Sequence, residues 1–274
     1  MSMEYVLFFL EIVLYTIGTF CICGLFVALC EWAFRKLLGD GAGYKAVIYT
    51  AIIGTPIHEL GHALMCVIFR HKINEICLWD PKAPNGTLGY VNHSYNPKNV
   101  YHRIGNLFIG LGPIFSGLGI ITLLMFLAFP VTTRTYFSSA AAIVQADGNV
   151  FSILLEGLKM IWNMFTVSDG VNVWLKVLAV IVMLSVSLHI SLSPADIKGS
   201  LSALPFYFGL VLLVTVVTSL IGYFAITAVT NVLATFNAYL VMLFTLVFAF
   251  AIILVLIALL VFILKKVFAA IFSR

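Results

Sequence analysis

The chain has 274 residues, of which 62% are hydrophobic and 9% are charged. Soluble domains carry roughly 45–50% apolar and about 25% charged residues, so this composition excludes a water-soluble fold and indicates a membrane protein. The formal net charge is +4 at pH 7, and the basic residues lie mostly in short connections between apolar runs. They form no continuous basic stripe, so we predict no nucleic-acid partner.

A helix needs about 20 mostly apolar residues to cross a bilayer. Six segments of the sequence meet this requirement, at approximately 6–33, 46–69, 104–130, 171–192, 203–229 and 236–264. Lipid offers the backbone no hydrogen-bond partners, so uniformly apolar runs of this length are expected to be helices. The predicted fold is therefore an all-α polytopic membrane protein with about six transmembrane helices.

The positions of Lys and Arg near the ends of these segments predict the orientation in the membrane. The connection 70–103 carries five basic residues, and the C-terminal tail carries Lys265, Lys266 and Arg274. The connection 131–170 has more acidic than basic residues. Because cytoplasmic connections are enriched in basic residues, we expect both termini and the 70–103 connection to be cytoplasmic, in the cell membrane.

Two connections have patterns of their own. Residues 73–79 and 87–92 are rich in β-prone residues and flank a turn that contains two prolines and Asn85-Gly86, which predicts a small cytoplasmic β-hairpin after the second helix. In the segment Val150 to Phe165, polar residues recur at near-helical spacing. This pattern predicts an amphipathic helix that lies on the membrane surface.

The second apolar segment contains the motif His58-Glu59-Leu60-Gly61-His62. Residues four apart share one face of a helix, so the two imidazoles can bind one zinc ion while Glu59 stands beside a metal-bound water. Ionisable groups within a membrane segment are costly and usually functional. The alternatives are a polar cluster that packs helices together and a proton relay in a transporter.

A catalytic zinc site needs a third protein ligand and one open position. Asp196 follows the fourth apolar segment, where Pro194 is expected to break the helix, and parallel second and fourth segments would bring it to the His pair. Asp196 can instead be the cap of a helix that begins near Ile197. His189 remains an alternative ligand. The other histidines and Glu11 are further candidates, and Glu75 or Asp80 would serve if the third ligand followed the motif closely.

Together these residues resemble the site-2 protease family of intramembrane zinc metalloproteases, which carries HExxH on one span and a zinc-binding Asp on a later one. The likeness covers about residues 46–200 and includes Gly112-Pro113-Ile114-Phe115-Ser116, similar to the family's Gly-Pro-x-x-Asn element. There are two departures. Ser116 replaces the Asn, and the family's Asp-Gly is here Asp196-Ile197-Lys198-Gly199.

The resemblance implies an enzyme that hydrolyses peptide bonds of transmembrane or membrane-associated proteins by zinc-activated water. It implies one Zn²⁺ per chain on His58, His62 and Asp196, with Glu59 as the catalytic base. Candidate substrate or oxyanion contacts are His189, Asn106 and His93. An extended substrate is expected to pair with a strand of the hairpin. The alternative functions are a non-catalytic membrane substrate binder, including a pseudoprotease, and a metal- or proton-coupled transporter.

On this interpretation the chain has three regions. Residues 1–45 form the first transmembrane helix and a connection, 46–200 form the catalytic membrane core, and 201–274 form two C-terminal transmembrane helices. The five cysteines are an odd number and four lie in apolar runs, so we interpret those four as small hydrophobic residues without a disulfide framework. His71, His93 and His102 are predicted to be solvated loop histidines, His93 with the alternative of lining the site.

Overall fold

The computed structural model describes residues 3–82, 88–146 and 149–272. Within these ranges the chain is mainly helical, with one antiparallel sheet of two strands. The α-helices are α1 (Met3–Val13), α2 (Thr19–Leu38), α3 (Asp40–Ile68), α4 (Val100–Gly110), α5 (Gly112–Ala128), α6 (Pro130–Gln145), α7 (Val150–Thr166), α8 (Val173–His189), α9 (Pro194–Leu201), α10 (Leu204–Ile221) and α11 (Tyr223–Phe272). A π-helical turn, Leu14–Gly18, joins α1 to α2. The strands are β1 (Lys72–Cys77) and β2 (Tyr90–Ser94).

Four of the described helical segments are long and apolar enough to cross a membrane, or up to six if each of two bent helix pairs counts as one span. This agrees with an all-α integral membrane protein. The four segments are Met3–Leu38, Lys45–Ile68, Leu204–Ile221 and Tyr223–Phe268. The chain's apolar character therefore lies in helices, as the composition predicts.

The segment predicted as one span at 104–130 is broken at Leu111, where α4 and α5 meet at 55°. The break has a local cause, because Pro113 in the first turn of α5 has no N–H to continue the helical ladder. A second pair, α8 and α9, is bent by 61° just before Pro194. Both breaks expose main-chain groups that a continuous helix would satisfy internally.

The predicted boundaries also differ from the structure elsewhere; the sixth span, predicted at 236–264, lies within the longer α11 (Tyr223–Phe272). The fifth apolar run, predicted to reach residue 229, ends at Ile221, because Gly222 adopts a φ of +111° that interrupts the helix. The segment 131–149, predicted as part of a connection, instead contains α6. The helix predicted at 150–165 is confirmed as α7, whose buried stripe packs against α6 and α11.

The central helix is α3, which packs against α5 and α8 and carries the HExxH motif. Gly61 and Gly112 allow the backbones of α3 and α5 to touch: a methyl group on Gly112 would lie 2.6 Å from the carbonyl oxygen of Gly61. The Ser116 hydroxyl of α5 donates to the carbonyl of Ile57 at 2.8 Å. These contacts hold the motif directly beside the break between α4 and α5.

The predicted hairpin is confirmed, with strand positions that differ slightly from the sequence pattern. β1 pairs with β2 in antiparallel register, with Ile73 opposite His93 and Ile76 opposite Val91. The predicted turn residues 83–87 lie outside the described residues. The sheet contacts α3 through both strands, so the hairpin lies against the helix that carries the motif.

Candidate metal centre

His58 and His62 face each other from successive turns of α3, with 3.2 Å between their Nε2 atoms. The Nδ1 of His58 lies 2.8 Å from the carbonyl oxygen of His189, and the Nδ1 of His62 lies 2.7 Å from that of Ile109. A carbonyl oxygen only accepts hydrogen bonds, so each Nδ1 carries the proton. In the neutral imidazoles both Nε2 atoms therefore present lone pairs to the same point, as in metal sites whose histidines are oriented by carbonyls.

Both carbonyl groups that orient the imidazoles come from helix ends. Ile109 lies in the last turn of α4, and His189 is the last residue of α8. Carbonyls in the last turn of a helix have no intrahelical donor, so they are free to accept from a side chain. The two bends in the helix pairs thus provide the acceptors that fix the ring orientations.

Asp196 completes a three-residue group with the histidines. Its Oδ1 lies 3.1 Å from Nε2 of His62, and its Oδ2 lies 3.8 Å from Nε2 of His58. The described residues thus bring together the ligand atoms of all three side chains within 4.8 Å of one another. Of the acidic alternatives considered from the sequence, Glu11, Glu75 and Asp80 are exposed and lie outside this group.

The alternative that Asp196 is the cap of a helix near Ile197 is wrong in detail. The N-cap of α9 is Ser193, and Asp196 occupies the third helical position of a capping box. Its Oδ2 accepts from the backbone N–H of Ser193 at 2.7 Å, and Ser193 Oγ accepts from the N–H of Asp196 at 3.2 Å. The capping box therefore orients the carboxylate, which faces the imidazoles at the same time.

The three donors fit a zinc-type ion. Ligand atoms about 2.0–2.1 Å from a tetrahedral ion lie roughly 3.3–3.4 Å apart, close to the separations among these nitrogen and oxygen atoms. A metal ion at this point would take the place of the proton that otherwise joins the two Nε2 atoms, or His62 and Asp196, by a hydrogen bond. Two imidazoles and one carboxylate leave one tetrahedral position free, as in catalytic rather than structural zinc sites.

Glu59 lies beside this group and is only 6% exposed. A cavity of about 650 Å³ opens onto it, and its walls include the three candidate ligands, Glu59, Asn106 and His93. Gly89, just before β2, packs on the carboxylate side chain: a methyl group there would lie 2.8 Å from Cγ of Glu59. The hairpin therefore forms one wall of the cavity.

His189 is not part of this group of ligands: its backbone carbonyl orients His58, and its ring lies elsewhere. Its Nδ1 lies 2.9 Å from the carbonyl oxygen of Ser185, and its Nε2 is buried without a hydrogen-bond partner among the described residues. The ring packs on Gly54 and lines a second cavity of about 310 Å³, which also reaches His58 and Glu59. The structure therefore separates His189 from the larger cavity.

Asn106 and His93, the other two candidate contacts, do line the larger cavity. The Asn106 side chain is buried in α4 and donates from Nδ2 to Ser202 Oγ at 3.1 Å. His93 extends from β2. Both side chains carry N–H groups, so they are suited to donate hydrogen bonds to a ligand in the cavity.

The prediction that His71 is a solvated loop histidine is wrong, because its side chain is only 6% exposed. The ring stacks on Tyr95 and its Nε2 lies 2.8 Å from the carbonyl oxygen of His102. Burial lowers the pKa of both His71 and His93, which favours their neutral forms. No apolar periodicity around His71 indicates this burial, since the hairpin that covers it is polar.

Comparison of the chain with protein-family models, with curated proteins and with solved structures gave no match in any of the three searches.

Proposed function

We propose that the chain is an intramembrane zinc metalloendopeptidase of the site-2 protease type. The observation that carries the proposal is the convergence of His58 and His62 from α3 with Asp196 from α9, beside a buried Glu59. Burying such groups in an apolar helical bundle costs free energy, which a bound cation would offset, and ionisable groups in this position are usually functional. A cavity of about 650 Å³ leaves room for a peptide segment at the same place.

Zinc, when bound by these three residues, acidifies a coordinated water and polarises a carbonyl oxygen. Glu59 takes the proton from the attacking water and then delivers it to the leaving amine. Asn106 and His93 line the cavity and donate hydrogen bonds to the oxyanion that develops at the scissile carbonyl.

The proposed topology has six spans, in which each bent helix pair crosses the membrane once. Both termini and the mouth of the larger cavity then face the cytoplasm, in the cell membrane, since the basic residues concentrate there. The proposed substrates are transmembrane or membrane-associated proteins. The single zinc of this proposal lies on spans two and four, which run in the same direction.

An extended substrate is proposed to pair with β2, because a helical peptide has its carbonyl groups locked in hydrogen bonds. Tyr90, Val91 and His93 of β2 line the larger cavity, and β2 has only β1 as a partner among the described strands. Strand addition uses backbone hydrogen bonds and demands little of the substrate sequence.

Replacing Val91 by Pro is expected to abolish cleavage of a membrane peptide, because proline removes a backbone donor from the strand. The measurement is the initial cleavage rate, together with zinc bound by the His58–His62–Asp196 group, which should be retained. Val91→Ala is the matched control: it keeps the backbone N–H and should cleave at close to the wild-type rate. Unimpaired cleavage by Val91→Pro would rule out pairing with β2.

The proposed function is tested with the purified chain in detergent or lipid vesicles and a synthetic single-span peptide. Removal of metal by a chelator should stop cleavage, and added Zn²⁺ should restore it. His58→Ala should lose both the zinc of this site and the cleavage, since one imidazole and one carboxylate do not hold the ion tightly. Cleavage that is unaffected by metal removal and by His58→Ala would refute the proposal.

A further inference from the structure

A second group of candidate metal ligands lies where α3 ends and the hairpin begins. The ligand atoms of Cys66, His71 and His93 all lie within 4.8 Å of one another. The Nδ1 atoms of the two histidines are 3.1 Å apart. We propose that these residues bind a second zinc-type ion, which attaches β2 to the end of α3.

The backbone brings Cys66 and His71 together. The N–H of His71 donates to the carbonyl of Cys66 at 2.8 Å, and the N–H of Arg70 donates to that of Val67 at 3.2 Å. This is the hydrogen-bond pattern of a Schellman motif, and Arg70 has the left-handed φ of +56° that the motif requires. The end of α3 thus turns the chain back so that His71 faces the last turns of its own helix.

The hydrogen bonds of His71 direct its other nitrogen toward the group. Its Nε2 lies 2.8 Å from the carbonyl oxygen of His102, so Nε2 carries the proton and Nδ1 presents its lone pair to His93. Tyr95 stacks on the ring with an interplanar angle of 14° and limits its rotation. This arrangement repeats that of His58 and His62, where a carbonyl also holds the outer nitrogen.

The donor set and its burial suit zinc. Cys66 is fully buried and His71 nearly so, whereas His93 is half-buried at the edge of the larger cavity. One thiolate and two imidazoles match the sulfur and nitrogen ligands that zinc prefers, and the 3.1 Å between nitrogens is close to one edge of a zinc tetrahedron. Water from the cavity can fill the fourth position beside His93.

The proposed ion links two segments that are distant from each other in the sequence. Cys66 lies one turn beyond His62 on the same face of α3, while His93 belongs to the strand that lines the larger cavity. A metal bond between them would fix the distance from β2 to the His58–His62–Asp196 group. This site does not depend on the proposed peptidase activity, and its test measures metal binding alone.

Cobalt is the probe, because a thiolate bound to Co²⁺ gives a sulfur-to-cobalt charge-transfer band and imidazoles and carboxylates do not. The full chain, stripped of metal and kept reduced, is titrated with Co²⁺. Wild type should bind two equivalents and show the charge-transfer band. Cys66→Ser should bind one equivalent without the band, and His58→Ala should keep the band while losing the other equivalent.

Cys77→Ser is the matched control, since Cys77 lies in β1 and outside the ligand group; it should leave both equivalents and the band unchanged. If Cys66→Ser does not give a monodisperse protein, His93→Asn decides, because its half-buried side chain is easier to replace and its loss should still remove the band. Wild type without a charge-transfer band, or a band that persists in Cys66→Ser, would overturn the proposal; where Cys66→Ser is not monodisperse, a band that persists in His93→Asn would overturn it.

Discussion

Replacing Glu59 by Gln is expected to lower the rate of peptide cleavage by about 10²–10⁴-fold, the usual contribution of a general base. Glutamine keeps the size of the side chain but its amide does not take a proton from water. The carboxylate lies outside the group of proposed ligands, so zinc should stay bound. The measurement is single-turnover cleavage of a single-span peptide, with metal content determined on the same samples.

The matched control for this experiment is Glu156→Gln. Glu156 lies on α7 in an ion pair with Lys159, where removing a carboxylate affects neither cavity. Its variant should cleave at the wild-type rate. Wild-type cleavage by Glu59→Gln would contradict the assignment of the base. A transport or binding activity that is independent of Glu59 would instead favour the non-catalytic alternatives.

Replacing Asp196 by Asn is expected to weaken zinc binding at the His58–His62 pair by more than about 100-fold, beyond what loss of an outer-shell partner costs. The neutral amide is a poor zinc ligand, yet its oxygen can still accept from the backbone N–H of Ser193. The start of α9 should therefore remain capped. The affinity is measured by competition with a chromophoric chelator in Cys66→Ser protein, so that no thiolate contributes.

Ser193→Ala separates the two roles of the carboxylate. It removes the hydroxyl that caps α9, at a cost of about 1 kcal/mol, but leaves the carboxylate of Asp196 in place. Zinc affinity should fall much less than in Asp196→Asn. If Asp196→Asn binds zinc as the wild type does, Asp196 is not a ligand; equal losses in the two variants would mean that the capping box alone accounts for the effect.

The local part of the site could be predicted from the sequence, because four-residue spacing on a helix determines that His58 and His62 share a face. The prediction that Asp196 approaches this pair relied on a helix break at Pro194 and on parallel second and fourth spans; in the structure α8 ends at His189 and Pro194 is the first residue of α9. The capping box that orients the carboxylate was harder to predict from the sequence. Ser193 and Asp196 have the right spacing, but an acidic residue after a proline is equally typical of a simple cap.

Other features were missed because hydropathy and periodicity do not report them. Pro113 marks the break at Leu111 in the sequence, but the hydropathy of residues 104–130 predicts a single span across it. His71 is buried because the hairpin folds back on the end of α3, and a polar loop gives no periodic signal for this contact. From the sequence, Cys66 is interpreted as an ordinary hydrophobic residue. Only the structure shows that His71 and His93 lie beside it.

The contact between Gly54 and His189 restricts which residues position 54 can hold, although Gly54 is not a candidate ligand. A methyl group at position 54 would lie 2.5 Å from Cγ of His189, whose carbonyl orients His58. Any larger side chain must therefore displace the residue that holds a ligand imidazole. Mutational tolerance at position 54 is set by this ring in the neighbouring helix, although the glycine itself has no functional group to contribute.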